Sequence, residues 1–332
     1  MTFVLDAMGS DLGPREITLG IAKAAKVRKD INFKIFGDGE IILKTLKEEG
    51  ISLDRVEVYD CHEVMTNDDT PTDIIKLKSE TSLGQAIRYL RSNDVDGLLT
   101  AGSTGATLSG ATLLIGRIPG INRPCLMATL PTRTKKLTRV MDIGANMDCK
   151  PEYLYQFALM ANVFLKSTGI ENPRIGLLNV GKEDHKGNQL THAVSDMLKA
   201  NKDLNFVGNI EGDHVLKGEA DAVICDGFAG NVFLKSLEES AYFISDAFKE
   251  ALNKNIFTKF GALFQLKHLK NVKNLFKYAN EACAPLLGIK KLVIKMHGKS
   301  NANNVKSCIL QAAELVDNKF IDKINKIDVK GE

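Results

Sequence analysis

The chain has 332 residues, enough for about two domains or for one large doubly wound α/β unit, and its 44 Lys and Arg against 41 Asp and Glu leave a net charge of +3. So small a surplus excludes a dedicated nucleic-acid binder, and an aromatic content of 6% without tryptophan offers no stacking platform for single strands. The opening Met1-Thr2-Phe3-Val4-Leu5-Asp6 has no basic stretch before an apolar core, and no apolar run approaches the length of a membrane span, so a cytoplasmic location is expected.

Short apolar runs that end in Gly or Asp alternate with helical stretches along the chain, the pattern of a mainly parallel sheet covered by helices on both faces. Strands are predicted at 2–7, 33–36, 56–59, 97–100, 126–130, 139–143, 174–179, 205–207, 222–225 and 292–295. Helices are predicted at 16–28, 82–93, 107–115, 153–167 and 189–200, where apolar residues recur near a 3.6 period. No repeat, low-complexity tract or Pro/Gly/Ser linker marks a boundary, so residues 1–332 are read as one α/β domain with an amphipathic extension at 234–285.

That extension begins with Leu234, Leu237, Ala241, Ile244, Phe248 and Leu252 on one helical face. Beyond it, Lys259, Phe260, Leu263, Phe264, Lys267 and Lys270 interleave apolar and basic residues, and no acidic residue occurs between Glu250 and Glu281. Such a segment suits an anionic membrane surface, and equally a homodimer interface with solvated lysines; both readings stay open.

Six cysteines, Cys61, Cys125, Cys149, Cys225, Cys283 and Cys308, lie far apart without a CxxC, which reads as reduced, mostly buried thiols rather than disulfides or zinc ligands. No metal set, no G-x-G-x-x-G opening a helix, no Walker sequence and no GxSxG elbow is present, so dinucleotide, ATP and serine acyl-enzyme chemistry lose their best supports.

In an open parallel sheet, ligands bind beyond the carboxyl ends of strands, and here those positions are crowded with Gly, Asn and Asp. The clearest are Asp6-Ala7-Met8-Gly9, Gly102-Ser103-Thr104-Gly105, Gly144-Ala145-Asn146, Glu183-Asp184-His185-Lys186, Gly208-Asn209-Ile210-Glu211, Asp226-Gly227-Phe228-Ala229-Gly230-Asn231 and His297-Gly298. Small residues at a strand-to-helix turn let backbone N–H groups approach an anion, so a phosphate-sized ligand is expected at Gly102–Gly105 and Gly227–Gly230. A glycine at a tight βα turn is also structurally ordinary; repetition over several turns carries the inference.

Taken together, these loops resemble the acyl-ACP:phosphate acyltransferase family of bacterial phospholipid synthesis. Arg123-Pro124, Asp142, Gly176-Leu177-Leu178-Asn179, Lys186-Gly187 and Ala284-Pro285-Leu286-Leu287-Gly288 add to the match, which runs in order from residue 3 to about residue 315. The chain departs from the family pattern at Ser10, Ser103 and Ala229, where Gly, Asn and Thr are usual, and Glu281-Ala282-Cys283 replaces an aromatic-Gly-Gly turn. The resemblance implies a three-layer α/β/α sandwich related to phosphotransacetylase and isocitrate dehydrogenase-like folds. It further implies a homodimer, no organic cofactor, and an acyl-phosphate product passed to a membrane glycerol-3-phosphate acyltransferase, with peripheral membrane attachment.

On this reading acyl carrier protein supplies a fatty thioester and inorganic phosphate attacks it. The expected site comprises Lys186 with His185 neutralising phosphate, and Asn146, Asn209 and Asn231 orienting it or donating to the oxyanion. Asp6, Gly9 and Glu211 complete the pocket, Asp226 positions a partner or caps the following turn, and His297 is either a proton donor to sulfur or a structural histidine. Two rivals remain at this stage: a phosphotransacetylase acting on acetyl-coenzyme A, and a noncatalytic membrane scaffold.

Overall fold

A computed structural model of the chain describes residues 1–254 and 283–329. Eleven strands among these residues form one sheet in the order β3-β2-β1-β4-β11-β10-β5-β6-β9-β7-β8. In chain order they are β1 (Thr2–Asp6), β2 (Asn32–Gly37), β3 (Val56–Asp60), β4 (Gly97–Thr100), β5 (Cys125–Pro131), β6 (Leu137–Met141), β7 (Arg174–Asn179), β8 (Asn205–Glu211), β9 (Ala222–Ile224), β10 (Ala284–Leu287) and β11 (Leu292–Lys295). The helices are α1 (Gly13–Val27), α2 (Gly39–Glu48), α3 (Ser82–Ser92), α4 (Thr104–Gly110), α5 (Pro151–Ser167), α6 (Gln189–Ala200), α7 (Gly227–Asn253), α8 (Ala302–Asp317) and α9 (Phe320–Ile324).

Helices cover both faces of the sheet. On one face Ile17 and Ile21 of α1, Phe157 and Phe164 of α5, and Ile309 of α8 bury against alternate residues of the strands, among them Phe3, Leu5, Met127 and Ile294. The other face buries Leu83, Ile87 and Leu90 of α3 against Val4, Leu98 and Val293, and places α7 over Val140 and Val223. Strands with both faces covered read as near-continuous apolar runs, which is why they stand out in the sequence.

The register reveals what the sequence pattern does not. Strands β3, β2, β1, β4 and β11 pair in parallel, as do β6, β9, β7 and β8, but β10 and β5 pair antiparallel to their neighbours. Three successive reversals, at β11–β10, β10–β5 and β5–β6, leave the two parallel halves running in opposite directions. The loops after β1 and β4 therefore emerge at one end of the sheet, and those after β7 and β8 at the other.

Several boundaries differ from the expected ones. Strand β8 runs on through Asn209 to Glu211, four residues past its expected end, because Leu177, Leu178 and Asn179 continue to pair with Asn209, Ile210 and Glu211. Strand β10 and helices α2, α8 and α9 have no counterpart among the sequence expectations, although α2 and α8 carry ordinary start signals: the Asp38 carboxylate accepts from Ile41 N at 2.9 Å, and the Asn301 side chain accepts from Asn303 N and Asn304 N. The helix expected at 107–115 begins at Thr104 and widens after Gly110, with Gly116 N donating to Ala111 O at 3.0 Å.

One cysteine expectation is corrected. Cys283 and Cys308 are joined in a disulfide, their Cα atoms 5.4 Å apart, within ordinary bridging distance. The chain brings the residue preceding β10 against the middle of α8, a long-range closeness that spacing alone does not encode. Cys61, Cys125 and Cys225 are buried free thiols and Cys149 is a half-buried one.

Leu234 to Leu252 lies within the 27-residue α7, with Phe233, Leu234 and Leu237 packed on the core. Farther along this helix Tyr242, Phe243, Ile244 and Phe248 are exposed. The basic stretch with Lys259, Phe260, Leu263, Phe264, Lys267 and Lys270 lies outside the described residues. Among the described residues no helix is long and apolar enough to cross a membrane.

Candidate active site

A cleft of about 670 Å³ opens over the antiparallel strands at the junction of the two halves. Its floor is apolar, built from Leu126 and Ala128 of β5, Ala284 of β10 and Ile143, with Met65 and Leu234 on its sides. Its polar rim comes from three directions: Gly9, Ser10 and Asp11 after β1; Gly102, Ser103 and Thr104 after β4; and Lys295, His297 and Gly298 at the end of β11. Helix α7 closes the remaining side with Asn231, Lys235 and Glu238, which stand one turn apart on one helical face.

The turn after β4 is shaped from beneath by Asp6, which is fully buried at the end of β1. Its carboxylate accepts from Ser82 Oγ and Thr100 Oγ1, each at 2.7 Å, and from Met8 N at 3.1 Å, while Thr100 Oγ1 accepts from Gly102 N at 2.9 Å. Asp6 is thus a floor strut rather than a cleft-facing group, and the Gly102 amide is engaged inside the turn. The next amides, at the start of α4, have no intrahelical acceptor and sit on the rim, Thr104 among them. Gly9 and Gly102 are required by proximity: a Cβ on Gly9 would lie 2.3 Å from Gly102 Cα. Gly105 faces Pro71 on the outer side of α4.

Lys295 is the residue that the loop pattern does not single out. It ends β11, is 9% exposed, and its Nζ donates to Ala101 O at 3.2 Å and to Met296 O. No carboxylate lies within ion-pairing distance of it among the described residues. Burial lowers the ammonium pKa to about 8, with Asp6 and Asp11 opposing the fall and Lys235 adding to it. A buried cation held by two neutral carbonyls and aimed at an open cleft is an incomplete arrangement that an anion completes. The signal was present in the sequence as a lone charge closing the apolar run Leu292-Val293-Ile294.

His297 stands beside it. Its Nδ1 accepts from Lys299 N at 3.1 Å, which assigns the proton to Nε2 and leaves that nitrogen as a donor. Desolvation by the surrounding walls holds the imidazole below its ordinary range, opposed by Glu238 and assisted by Lys235 and Lys295, even though part of the ring meets solvent.

The structure brings Gly9, Gly102, Ser103, Thr104, Asn231 and His297 together around this cleft and leaves the other expected residues elsewhere. Asn146 donates through Nδ2 to Pro124 O and Asp142 Oδ2, both at 2.8 Å, and lines a separate hollow of about 410 Å³ with Arg117, Arg123 and Tyr153. Asp226 caps α7, accepting from Ala229 N at 2.7 Å. Gly227 N donates to Asn146 O at 2.7 Å and Gly230 N to Asp226 O at 3.0 Å, so both amides of that turn are engaged. A Cβ on Gly230 would meet Asp142 O at 1.9 Å, which makes this glycine a packing requirement.

His185 and Lys186 are exposed on the loop after β7, whose backbone is tied down by Asn179 Nδ2 to Lys186 O at 3.1 Å and Asn209 Nδ2 to Glu183 O at 3.2 Å. Asn209 is buried and its Oδ1 has no partner. Glu211, half-buried, closes β8 and begins the next turn. Neither lysine nor histidine of this loop borders the cleft.

Thiol nucleophiles are disfavoured throughout. Burial pushes Cys61 up to about 11 and Cys149 up to about 12, and raises Cys125 and Cys225 as well, so none is a thiolate at neutral pH. Among the described residues no group of three or more His, Cys, Asp or Glu is placed to hold a metal ion.

The sheet and its helices are shared with known acyl-transfer enzymes. A phosphotransacetylase from Streptococcus pyogenes superposes with a TM-score of 0.59 at 16% identity, covering 96% of this chain and 94% of that one. A branched-chain phosphotransacylase from Enterococcus faecalis gives 0.57 at 16% identity, covering 95% and 100%. The class is thus an α/β protein of phosphotransacetylase fold. Within it, the chain belongs to the fatty acid synthesis protein family, whose model matches residues 1–323. It is 43% identical to the phosphate acyltransferase of Thermoanaerobacterium thermosaccharolyticum over 98% of this chain and 96% of that relative, and it is an acyltransferase.

Proposed function

We propose that this chain transfers a long-chain fatty acyl group from the thioester of acyl carrier protein to inorganic phosphate. The product, an acyl-phosphate, is the activated donor that a membrane glycerol-3-phosphate acyltransferase consumes on the way to phosphatidic acid. The observation that carries the reading is the cleft itself, where a buried Lys295, with no carboxylate in ion-pairing range among the described residues, stands at one end of an apolar floor. An anion and an acyl chain are both accommodated, and they meet where the floor meets the rim.

The chemistry follows from the groups present. Phosphate is already an anionic nucleophile, so the enzyme must hold it against the thioester and screen its charge rather than build a covalent intermediate. Lys295 neutralises phosphate, the amides at the start of α4 and Asn231 orient it, and a phosphate oxygen attacks the carbonyl carbon. As the new C–O bond is completed the C–S bond breaks, and the thiolate, with a solution pKa near about 8.5, leaves with its electron pair. The Nε2–H of His297 on the rim donates a hydrogen bond to the departing sulfur, and the proton that monohydrogen phosphate sheds on becoming the acyl-phosphate dianion ends on the thiolate.

Partners follow the same reading. The carrier is acidic, and the basic stretch containing Lys259, Lys267 and Lys270 offers it a landing surface, or offers one to an anionic membrane. The exposed Tyr242, Phe243, Ile244 and Phe248 of α7 lead toward that stretch and suit membrane contact or a homodimer. A phosphotransacetylase acting on acetyl-coenzyme A is the alternative that the fold favours. Mixing the protein with phosphate and either palmitoyl-carrier protein or acetyl-coenzyme A, and trapping acyl-phosphate with hydroxylamine, separates the two. Hydroxamate from palmitoyl-carrier protein alone supports the proposal; hydroxamate from acetyl-coenzyme A alone, or from neither, ends it.

A further inference from the structure

On the opposite face of the same strands lies a second hollow of about 300 Å³, the lower limit of small-molecule sites. Where Leu126, Ala128, Ala284 and Lys295 face the cleft, the alternating Met127, Thr129, Pro285 and Ile294 face this hollow. Phe164 of α5 and Leu315 of α8 complete its mostly apolar wall.

One cation is set in that wall. Arg139 of β6 is only 9% exposed, its guanidinium lies 6.0 Å from the Phe164 ring centroid, and among the described residues the guanidinium makes one hydrogen bond, a long one from Nη1 to Leu137 O at 3.4 Å. Its Nε is buried without a partner. No carboxylate lies within 4 Å of it among the described residues: Asp221 is taken by Arg174 at 2.8 Å, and Glu314 stands exposed at the rim on α8. Burial lowers the guanidinium pKa, opposed by Asp221 and Glu314. A guanidinium has five N–H donors in a planar fork that matches a carboxylate, and leaving them unmade in an apolar wall is costly.

We propose that this hollow binds a medium-chain fatty monocarboxylate, its carboxylate on Arg139 and its tail along Met127, Phe164 and Ile294. The hollow takes an amphiphile and not a bare anion, because its single cation stands in a wall that is mostly apolar. The inference stands apart from the assignment of the cleft, from which it is separated by the thickness of the sheet.

Decanoate and 1-decanol are the probes, titrated by calorimetry into the full chain. Decanoate should bind at least tenfold more tightly than the alcohol, and Arg139→Met should remove that preference. Methionine replaces the buried cation with a side chain of similar volume, so the variant is expected to fold. As a second arm that keeps Arg139, titrations in a Lys295→Met background, which removes the cation of the cleft, should retain the preference for decanoate, and Ser307→Phe in that background should fill the hollow and weaken decanoate at least tenfold. Equal binding of acid and alcohol, full binding with Ser307→Phe in that background, loss of the preference in Lys295→Met, or no binding of decanoate at all would each overturn the proposal. Failure of the acyl-transfer assay with decanoate still bound would end the reading of the cleft and leave this one standing.

Discussion

The two parallel halves of the sheet each present a lysine at or beyond the end of a strand, and they treat it in opposite ways. In the first half Lys295 is buried at the end of β11 with its pKa lowered to about 8; in the second, Lys186 is exposed on the loop after β7. The loop around Lys186 has the richer motif, yet the cleft forms around Lys295. What separates them is solvent: a desolvated ammonium meets an anion with little water to screen it, whereas an exposed one is largely neutralised by its own hydration.

The largest test of this contrast is Lys295→Met. Acyl-phosphate formation should fall by about two to three orders of magnitude, as for removal of a preorganised charge, while the melting temperature holds or rises because an unpaired buried cation is gone. A fall in both would make Lys295 a structural residue. The pH profile sharpens the point. With its folded pKa near 8 and its unfolded value near 10.5, Lys295 loses its proton in the folded state first, so phosphate capture should weaken as pH rises through 8. The unfolded chain binds more protons across that window, so the contribution of this group to stability rises with pH from about 8 to about 10.5. Lys295→Arg, which keeps its charge, should lose the alkaline limb in kcat/KM for phosphate if it retains activity.

Lys186→Ala should have a smaller effect, a loss of less than about tenfold expressed in the KM for the carrier, since an exposed charge contributes modestly and mostly through encounter. A loss matching that of Lys295→Met would return the Lys186 loop to the reaction centre and break the contrast. Smallest of all, Asp226→Ala removes the cap of α7 and should cost about 1 kcal/mol in denaturant unfolding, with a parallel drop in activity only insofar as Asn231 loses its place.

Much of the fold was legible because buried parallel strands announce themselves as apolar runs, and β4, β7 and β11 fall at the residues expected. Their relative direction was not. It depends on β10, a four-residue strand containing Pro285, whose presence argues against a strand when read locally, and on long-range pairing with β5 and β11. The site was half legible for the same reason. Glycine-rich turns point to where backbones approach closely, and Gly9 with Gly102 do so at the rim of the cleft. The same signature at Gly227 and Gly230 marks helix α7 packing on the Asp142 to Asn146 turn. Glycine records crowding without naming what crowds it. Lys295 escaped because one charged residue at a strand end carries no periodicity, and the Cys283–Cys308 bridge escaped because its partners meet only in the tertiary fold.

Helix α7 has a mechanical implication. It is 27 residues long, a rod of about 40 Å, and it carries Asn231 and Lys235 at the cleft and Phe243 and Phe248 at its outer reach. Because a helix can transmit tilt along its length, a contact on those outer rings would bear on the angle at which Asn231 lines the cleft. On the proposed reading, docking and acyl transfer share one lever.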